Sequence, residues 1–203
     1  MPKPARFLTF EGVDGCGKTT QLNLLATRLE KAGRTVVRAQ EPGGTRVGRE
    51  IRKILLDARS TDLRATPELL LYFASRAQNV EEVILPALDA GHFVLADRFT
   101  DASAAYQGHA RGLGLEAVAQ LEAIACRGLR PDVTFLIDID PETGLRRARE
   151  TRFEREGLEF QRRVREGYLE IHRREPARVL LIDGRRRPED ISADIWSRLQ
   201  PYV

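Results

Sequence analysis

The chain of 203 residues reads as an α/β domain, a five-stranded parallel sheet with helices on both faces. Three observations predict this. Apolar, β-branched runs recur at 7–11, 34–39, 93–96, 133–137 and 179–182, and near-continuous apolar strands belong to sheets covered on both sides. Amphipathic stretches separate them, at 20–31, 46–57, 67–90, 115–127, 141–150, 159–174 and 188–199. Strand–helix alternation of this kind selects right-handed crossovers and a doubly wound layer order. Third, the first strand runs straight into a glycine-rich loop and then a helix, the local order of a phosphate-binding turn.

That loop is Gly12-Val13-Asp14-Gly15-Cys16-Gly17-Lys18-Thr19, continuing into Thr20. It matches the phosphate-loop pattern G-x-x-x-x-G-K-[ST], and with it the fold becomes the P-loop NTPase type of three-layer domain. Its glycines let successive N–H groups turn inward onto phosphate oxygens, and the helix that follows adds its positive end. Lys18 is placed to reach the β- and γ-phosphates of ATP, and the Thr19 hydroxyl to help hold Mg²⁺.

In a doubly wound sheet, ligands gather beyond the carboxyl ends of the strands, so the residues after each strand carry the information. The second strand ends in Glu41-Pro42-Gly43-Gly44-Thr45, a sharp turn by composition. The third closes on Asp97-Arg98. The aspartate suits Mg²⁺-bound water and the arginine suits bidentate capture of a second phosphate. In the long helix 67–90, Tyr72 and Arg76 lie four apart and so on one face, where a ring and a guanidinium can grip a base and its phosphate. Ser103, Tyr106 and Gln107 add a hydroxyl, a ring and an amide able to read a base edge or crowd a sugar.

Composition bounds the remaining classes. Hydrophobic residues make up 42% of the chain and the net charge is +3, values of a single globular domain spanning 1–203 rather than a disordered or nucleic-acid-coating chain. The arginines are spread out, and a polyanionic small substrate accounts for them as well as a nucleic acid does. No apolar run has the length of a membrane span, and no secretory leader precedes the first strand. Cys16 sits inside the phosphate loop, so a disulfide to Cys126 is not expected and the reducing cytoplasm is the expected location. His92, His109 and His172 lack metal-ligand spacing. A guanine-reading Asn-Lys-x-Asp is absent, as is the Leu-Ser-Gly-Gly-Gln of transporter ATPases, which argues against a GTPase switch or a motor subunit.

Several ordered segments together resemble the bacterial thymidylate kinases: Phe10 to Thr20, Glu41 to Thr45, Asp97-Arg98, Ala105-Tyr106-Gln107-Gly108, Arg130-Pro131-Asp132 and Arg163 to Leu169. The likeness covers essentially the whole chain. It implies transfer of the γ-phosphoryl of ATP to dTMP by a homodimer. It also implies roles. Asp14 contacts the 3′-hydroxyl region, Arg76 and Arg98 hold the dTMP phosphate, and Tyr72 stacks on thymine. Arg52, Ser103 and Gln107 meet the base, Tyr106 disfavours a ribose 2′-hydroxyl, and Glu41 belongs to the same substrate set. Lys18, Asp14, Arg98, Arg149 and Arg152 are the catalytic residues that the resemblance implies. Where some members carry a basic residue after the loop aspartate, this chain has Gly15, so the missing charge is expected from a short lid at about 146–158, with Arg149 and Arg152 first and Arg155 after them. Further departures are Tyr72 for phenylalanine, Ala102 for serine, Gln40 for arginine and Thr151 for aspartate. The readings left open are another nucleoside-monophosphate kinase, such as one acting on dUMP, and a nucleoside kinase.

Overall fold

The computed structural model describes residues 6–147 and 153–202. Strands β1 (Phe7–Glu11), β2 (Val36–Gln40), β3 (Phe93–Asp97), β4 (Val133–Asp138) and β5 (Val179–Asp183) form one sheet in the order β2-β3-β1-β4-β5. All pairings are parallel. β1 is central, with Phe7 opposite Val94 on one side and Leu8 opposite Val133 on the other.

Alternation along the inner strands divides the core between the two faces. Leu8, Phe10, Leu95 and Phe135 join one apolar cluster, whereas Phe7, Val94 and Ala96 join the second. Every residue of β1 is buried, including Thr9, whose hydroxyl is 2.8 Å from that of Thr134 on β4. Pairing two polar side chains removes most of the cost of burying them.

The helices are α1 (Lys18–Lys31), α2 (Arg46–Leu56), α3 (Ala65–Asn79), α4 (Leu85–Asp89), α5 (Thr100–Ser103), α6 (Leu115–Ala125), α7 (Pro141–Arg147), α8 (Gly157–Arg174) and α9 (Pro188–Leu199). Helix α9 has the expected bounds and α2 falls within one residue of them. Its start is fixed by Thr45, whose Oγ1 accepts the Gly48 N–H at 2.9 Å, an N-cap that the turn composition contains. The expected helix 67–90 is α3 and α4 joined by a π-helical turn, Val80–Ile84, in which the Leu85 N–H reaches the Val80 carbonyl. Pro86 explains the widening: it lacks an N–H and its ring crowds the carbonyl four residues back.

Periodicity predicts no helix between 100 and 110, where the chain forms α5 and then a π-helical stretch, Ala104–Ala110. Its residues are small or polar and mostly buried, so no apolar stripe betrays it. The second strand is shifted to Val36–Gln40, and α1 begins at Lys18, directly from the loop.

Candidate active site

The carboxyl end of β1 delivers the phosphate loop to the middle of the sheet edge. Gly12 has φ 137° and Gly15 φ 73°. A Cβ on Gly12 would lie 2.3 Å from the Ile137 carbonyl, and one on Gly15 2.2 Å from the Gly144 carbonyl. Both positions therefore require glycine for conformation and for space. At Gly15 the obstacle is α7, and the Arg147 Cβ lies 3.1 Å from where a Gly15 Cβ would stand. A basic side chain after Asp14 is excluded by this packing, and an arginine on α7 starts beside the same point.

Val13 and Cys16 are buried, and Thr20 is exposed at the start of α1. Lys18 is buried, its Nζ donating to the Gly12 and Val13 carbonyls at 3.1 and 3.0 Å. It thus curls over the loop's own backbone, within reach of whatever the loop holds. Thr19 Oγ1 donates to Asp97 Oδ2 at 2.6 Å. A hydroxyl and a carboxylate in contact are the hard oxygen donors that suit Mg²⁺ shared with phosphate.

Beside the loop opens a cleft that takes in about 610 Å³ of empty space, its open mouth included. All nine residues expected to bind substrate line it: Asp14, Glu41, Arg52, Tyr72, Arg76, Arg98, Ser103, Tyr106 and Gln107. They come from the phosphate loop, the β2–α2 turn, α2, α3, the β3–α5 turn, α5 and the π-helical stretch, so the sheet order, not proximity in sequence, assembles them. Ala102 is on the same wall, where a serine would have added a hydroxyl. Pro42, Leu56 and Phe153, which the sequence reading does not single out, also line it.

Arg98 marks the loop side of the cleft. Its Nη1 donates to the Gly12 carbonyl at 3.0 Å and to Tyr168 Oη at 2.8 Å. Its Nη2 donates to Asp14 Oδ1 at 2.7 Å and to Tyr106 Oη at 3.1 Å. The Tyr106 hydroxyl donates in turn to Asp14 Oδ2, 3.0 Å away. Burial acts to raise the Asp14 pKa, but Arg98, Lys18 and the Tyr106 hydroxyl outweigh it and hold the carboxyl below its usual range. Burial likewise pushes the Tyr106 phenol well above its ordinary value, which keeps it a neutral donor.

Arg76 occupies the other side. It is 1% exposed, and its Nε donates to Glu41 Oε2 at 2.6 Å, Nη1 to Ser103 Oγ at 3.0 Å and Nη2 to the Phe99 carbonyl at 2.9 Å. Burial disfavours its charge, yet Glu41 outweighs that and holds the guanidinium protonated. Phe73 lies under it, 4.5 Å from ring centroid to Cζ. The two arginines expected to form one phosphate clamp are thus held by different partners in different corners.

Gln107 is fixed by buried Glu68, which accepts its Nε2 at 2.7 Å. Glu68 also accepts from Arg111 at 3.2 Å, and Arg111 donates on to Glu156 at 2.6 Å. Arg52 donates to the Pro42 carbonyl at 2.7 Å. Phe153 closes the wall, its ring at 5.5 Å and edge-on to Tyr106, and 6.3 Å from Tyr72. Glu11, Glu68, Arg111 and Tyr168 were not read as site residues. Only the burial of a charged side chain or a phenol against another polar group reveals them, and burial is not a sequence signal. Arg149, Thr151 and Arg152 lie outside the described residues. Arg155 is exposed, with Nη1 3.4 Å from the Ala58 carbonyl.

A phosphate loop on the central strand of a parallel five-stranded sheet, beside an arginine-lined cleft, defines a P-loop α/β protein built for two phosphorylated ligands. The family model described as Thymidylate kinase matches residues 10–195. The chain is 52% identical over 201 residues to the thymidylate kinase of Caldanaerobacter subterraneus subsp. tengcongensis, covering 98% of this chain and 96% of that one. It is 51% identical over 203 residues to that of Pelobacter propionicus, covering 95% and 93%. A crystal structure of thymidylate kinase from Ehrlichia chaffeensis superposes with a TM-score of 0.82 at 32% identity, covering 97% of this chain and 99% of that one. The chain belongs to the thymidylate kinase family.

Proposed function

We propose that the chain transfers the γ-phosphoryl group of ATP to dTMP, giving dTDP and ADP. One observation carries this reading: Arg98 spans from the Gly12 carbonyl of the phosphate loop to Asp14 on the cleft wall, so one guanidinium touches both binding regions. Donor and acceptor phosphates held on either side of it are adjacent.

An oxygen of the dTMP phosphate attacks the γ-phosphorus, and the bond from that phosphorus to the β–γ bridging oxygen breaks, releasing ADP. The acceptor oxygen is already anionic, so no general base is needed. The protein's share is alignment and positive charge. Lys18 supplies charge from the loop and Arg98 from the cleft. Mg²⁺, held by Thr19 and Asp97 together with phosphate oxygens, would neutralise charge on the donor. The loop from Gly12 to Thr20 takes the ATP phosphates. Asp14 takes the sugar hydroxyl, Tyr72 stacks on the base, and Tyr106 fills the space a 2′-hydroxyl needs. Arg52, Ser103 and Gln107 face the base edge. Arg76, with its charge already matched by Glu41, serves the base end better than the phosphate.

The reading treats residues 1–203 as a single domain whose lid, about 146–158, brings Arg149 and Arg152 to the transferred group. Dimerisation is part of it as well. Ile54 on α2, Leu70 on α3 and Ile124 on α6 are 49%, 51% and 77% exposed, and α3 packs against both α2 and α6, so a second copy has an apolar surface to cover. Among the described residues no helix is long and apolar enough to cross a membrane. Cys16 and Cys126 are free and buried, which suits a reducing cytoplasm.

The test is coupled ADP release with Mg·ATP against dTMP, dUMP, dCMP, dGMP, thymidine and no acceptor. Turnover on dTMP far above that on thymidine is the expected result. Equal rates with and without acceptor would mean an ATPase. Discrimination of dTMP from dUMP rests on one methyl group, about 1–3 kcal/mol in an apolar pocket.

A further inference from the structure

Glu11 closes β1 one residue ahead of the phosphate loop and is completely buried. A carboxylate at that depth is costly unless both oxygens are bonded. Both are. Oε1 accepts the Phe99 N–H at 2.7 Å, and Oε2 accepts the Tyr168 hydroxyl at 2.7 Å. The Tyr168 oxygen in turn accepts from Arg98 Nη1 at 2.8 Å, and Arg98 lies 3.9 Å from Glu11 itself.

Arg98 is also held by its backbone. Its φ is 73°, the left-handed region, which costs a residue with a Cβ about 1–2 kcal/mol. The peptide N–H just after it is the one that Glu11 accepts. One carboxylate therefore fixes the turn that carries Arg98 and, through Tyr168, the direction of its guanidinium. Asp14 repeats the pattern through Tyr106 at the mouth, where its side chain is 29% exposed against 0% for Glu11. Asp14 is open to a ligand, whereas Glu11 is not.

We infer that Glu11, acting through Tyr168 and the Phe99 N–H, is a positioning residue that sets Arg98 for the acceptor phosphate. This rests on the reading of Arg98 as the acceptor-phosphate residue. The groups facing Glu11 are Arg98 and Phe99 from the β3–α5 turn, Asp101 from α5 and Tyr168 from α8. Burial pushes the Glu11 carboxyl up to about 7 despite Arg98. Replacing it by the neutral amide removes a buried charge at nearly constant volume, so the exchange separates positioning from folding.

The experiment compares wild type, Glu11→Gln, Tyr168→Phe and the double variant at pH 8, measuring thermal stability and steady-state kinetics with dTMP and ATP varied separately. Glu11→Gln should keep or raise the melting temperature, yet raise KM for dTMP roughly tenfold, the value of one hydrogen bond to a charged group. KM for ATP should move by less than about twofold. Tyr168→Phe should do the same, and the double variant no more than either alone, because both act through one chain of bonds. An unchanged KM for dTMP, or equal rises for both substrates, overturns the inference. Should Glu11→Gln fail to fold, Tyr168→Phe decides by the same criterion. Wild type without turnover on dTMP would instead overturn the functional reading beneath it.

Discussion

Arg76 and Arg98 border the same cleft, each paired with a carboxylate, but one pair is sealed and the other is open. Arg76 is sealed by a carboxylate that faces it directly, 2.6 Å from Nε, and both partners are at most 2% exposed. Arg98 keeps 13% of its side chain exposed, meets Asp14 directly at 2.7 Å where that carboxylate is itself 29% exposed, and meets Glu11 through a tyrosine hydroxyl. Sealed pairing neutralises a charge and freezes its shape. Sharing the guanidinium between two tyrosine hydroxyls and a partly exposed carboxylate leaves the cation neutral partners that it can exchange for an anion. On the proposed function, one corner serves as a fixed surface and the other receives a phosphate.

The comparison breaks most visibly on stability. Arg76→Met should cost about 3–5 kcal/mol in urea unfolding, since it leaves Glu41 buried and unpaired. The double variant Arg76→Met with Glu41→Met should recover most of that loss. A single variant near wild-type stability would show that Arg76 is not a structural pair. Arg98→Ala should instead act on chemistry, lowering kcat/KM for dTMP by about 10²–10³, as for removal of one transition-state donor. Unfolding by urea should register a much smaller change for it.

Effects smaller than these sharpen the contrast. Between pH 4.5 and about 7 the folded state holds a proton on Glu11 that the unfolded chain has released. The contribution of this group to stability therefore falls as pH rises through that window. Glu11→Gln should remove this slope, read as melting temperature against pH; an identical profile would place its carboxyl in the normal range. Finally, Arg98→Gly should be about 1 kcal/mol more stable than Arg98→Ala in urea, because a φ of 73° strains alanine and not glycine. Equal stabilities would mean that the turn relaxes.

The two corners also differ in how much of them the sequence reveals. The five strands and most helices follow from apolar periodicity, since β1, β3 and β4 are buried along nearly their whole length and so leave continuous runs. The phosphate loop is a local motif and is legible residue by residue. The cleft is not local. Physical reasoning alone reaches the strand ends, the Tyr72–Arg76 spacing and the polar groups of Ser103, Tyr106 and Gln107, while Asp14 and Arg52 as substrate residues come from the resemblance to a family. Glu11 and Tyr168 lie in segments that carry the resemblance but are legible there only as motif, and Glu68 and Arg111 lie outside it. Their function is to hold other side chains, and nothing in a sequence says which charged residue is buried against which. The helical stretch after Phe99 is not legible, because buried alanine, serine and glycine leave no apolar stripe. The glycine at position 15 shows the reverse: the sequence reports a missing charge, and the packing of Gly144 gives the steric reason.

The central claim is that Arg98 reads the acceptor phosphate while Arg76 does not. Isothermal titration of dTMP and thymidine into wild type and Arg98→Ala tests it most directly. Wild type should bind dTMP roughly a hundredfold more tightly than thymidine, the value of a charge-assisted bidentate contact. In Arg98→Ala that ratio should collapse to within about threefold, with thymidine affinity unchanged. A ratio that survives the substitution would contradict the account and return the phosphate to Arg76.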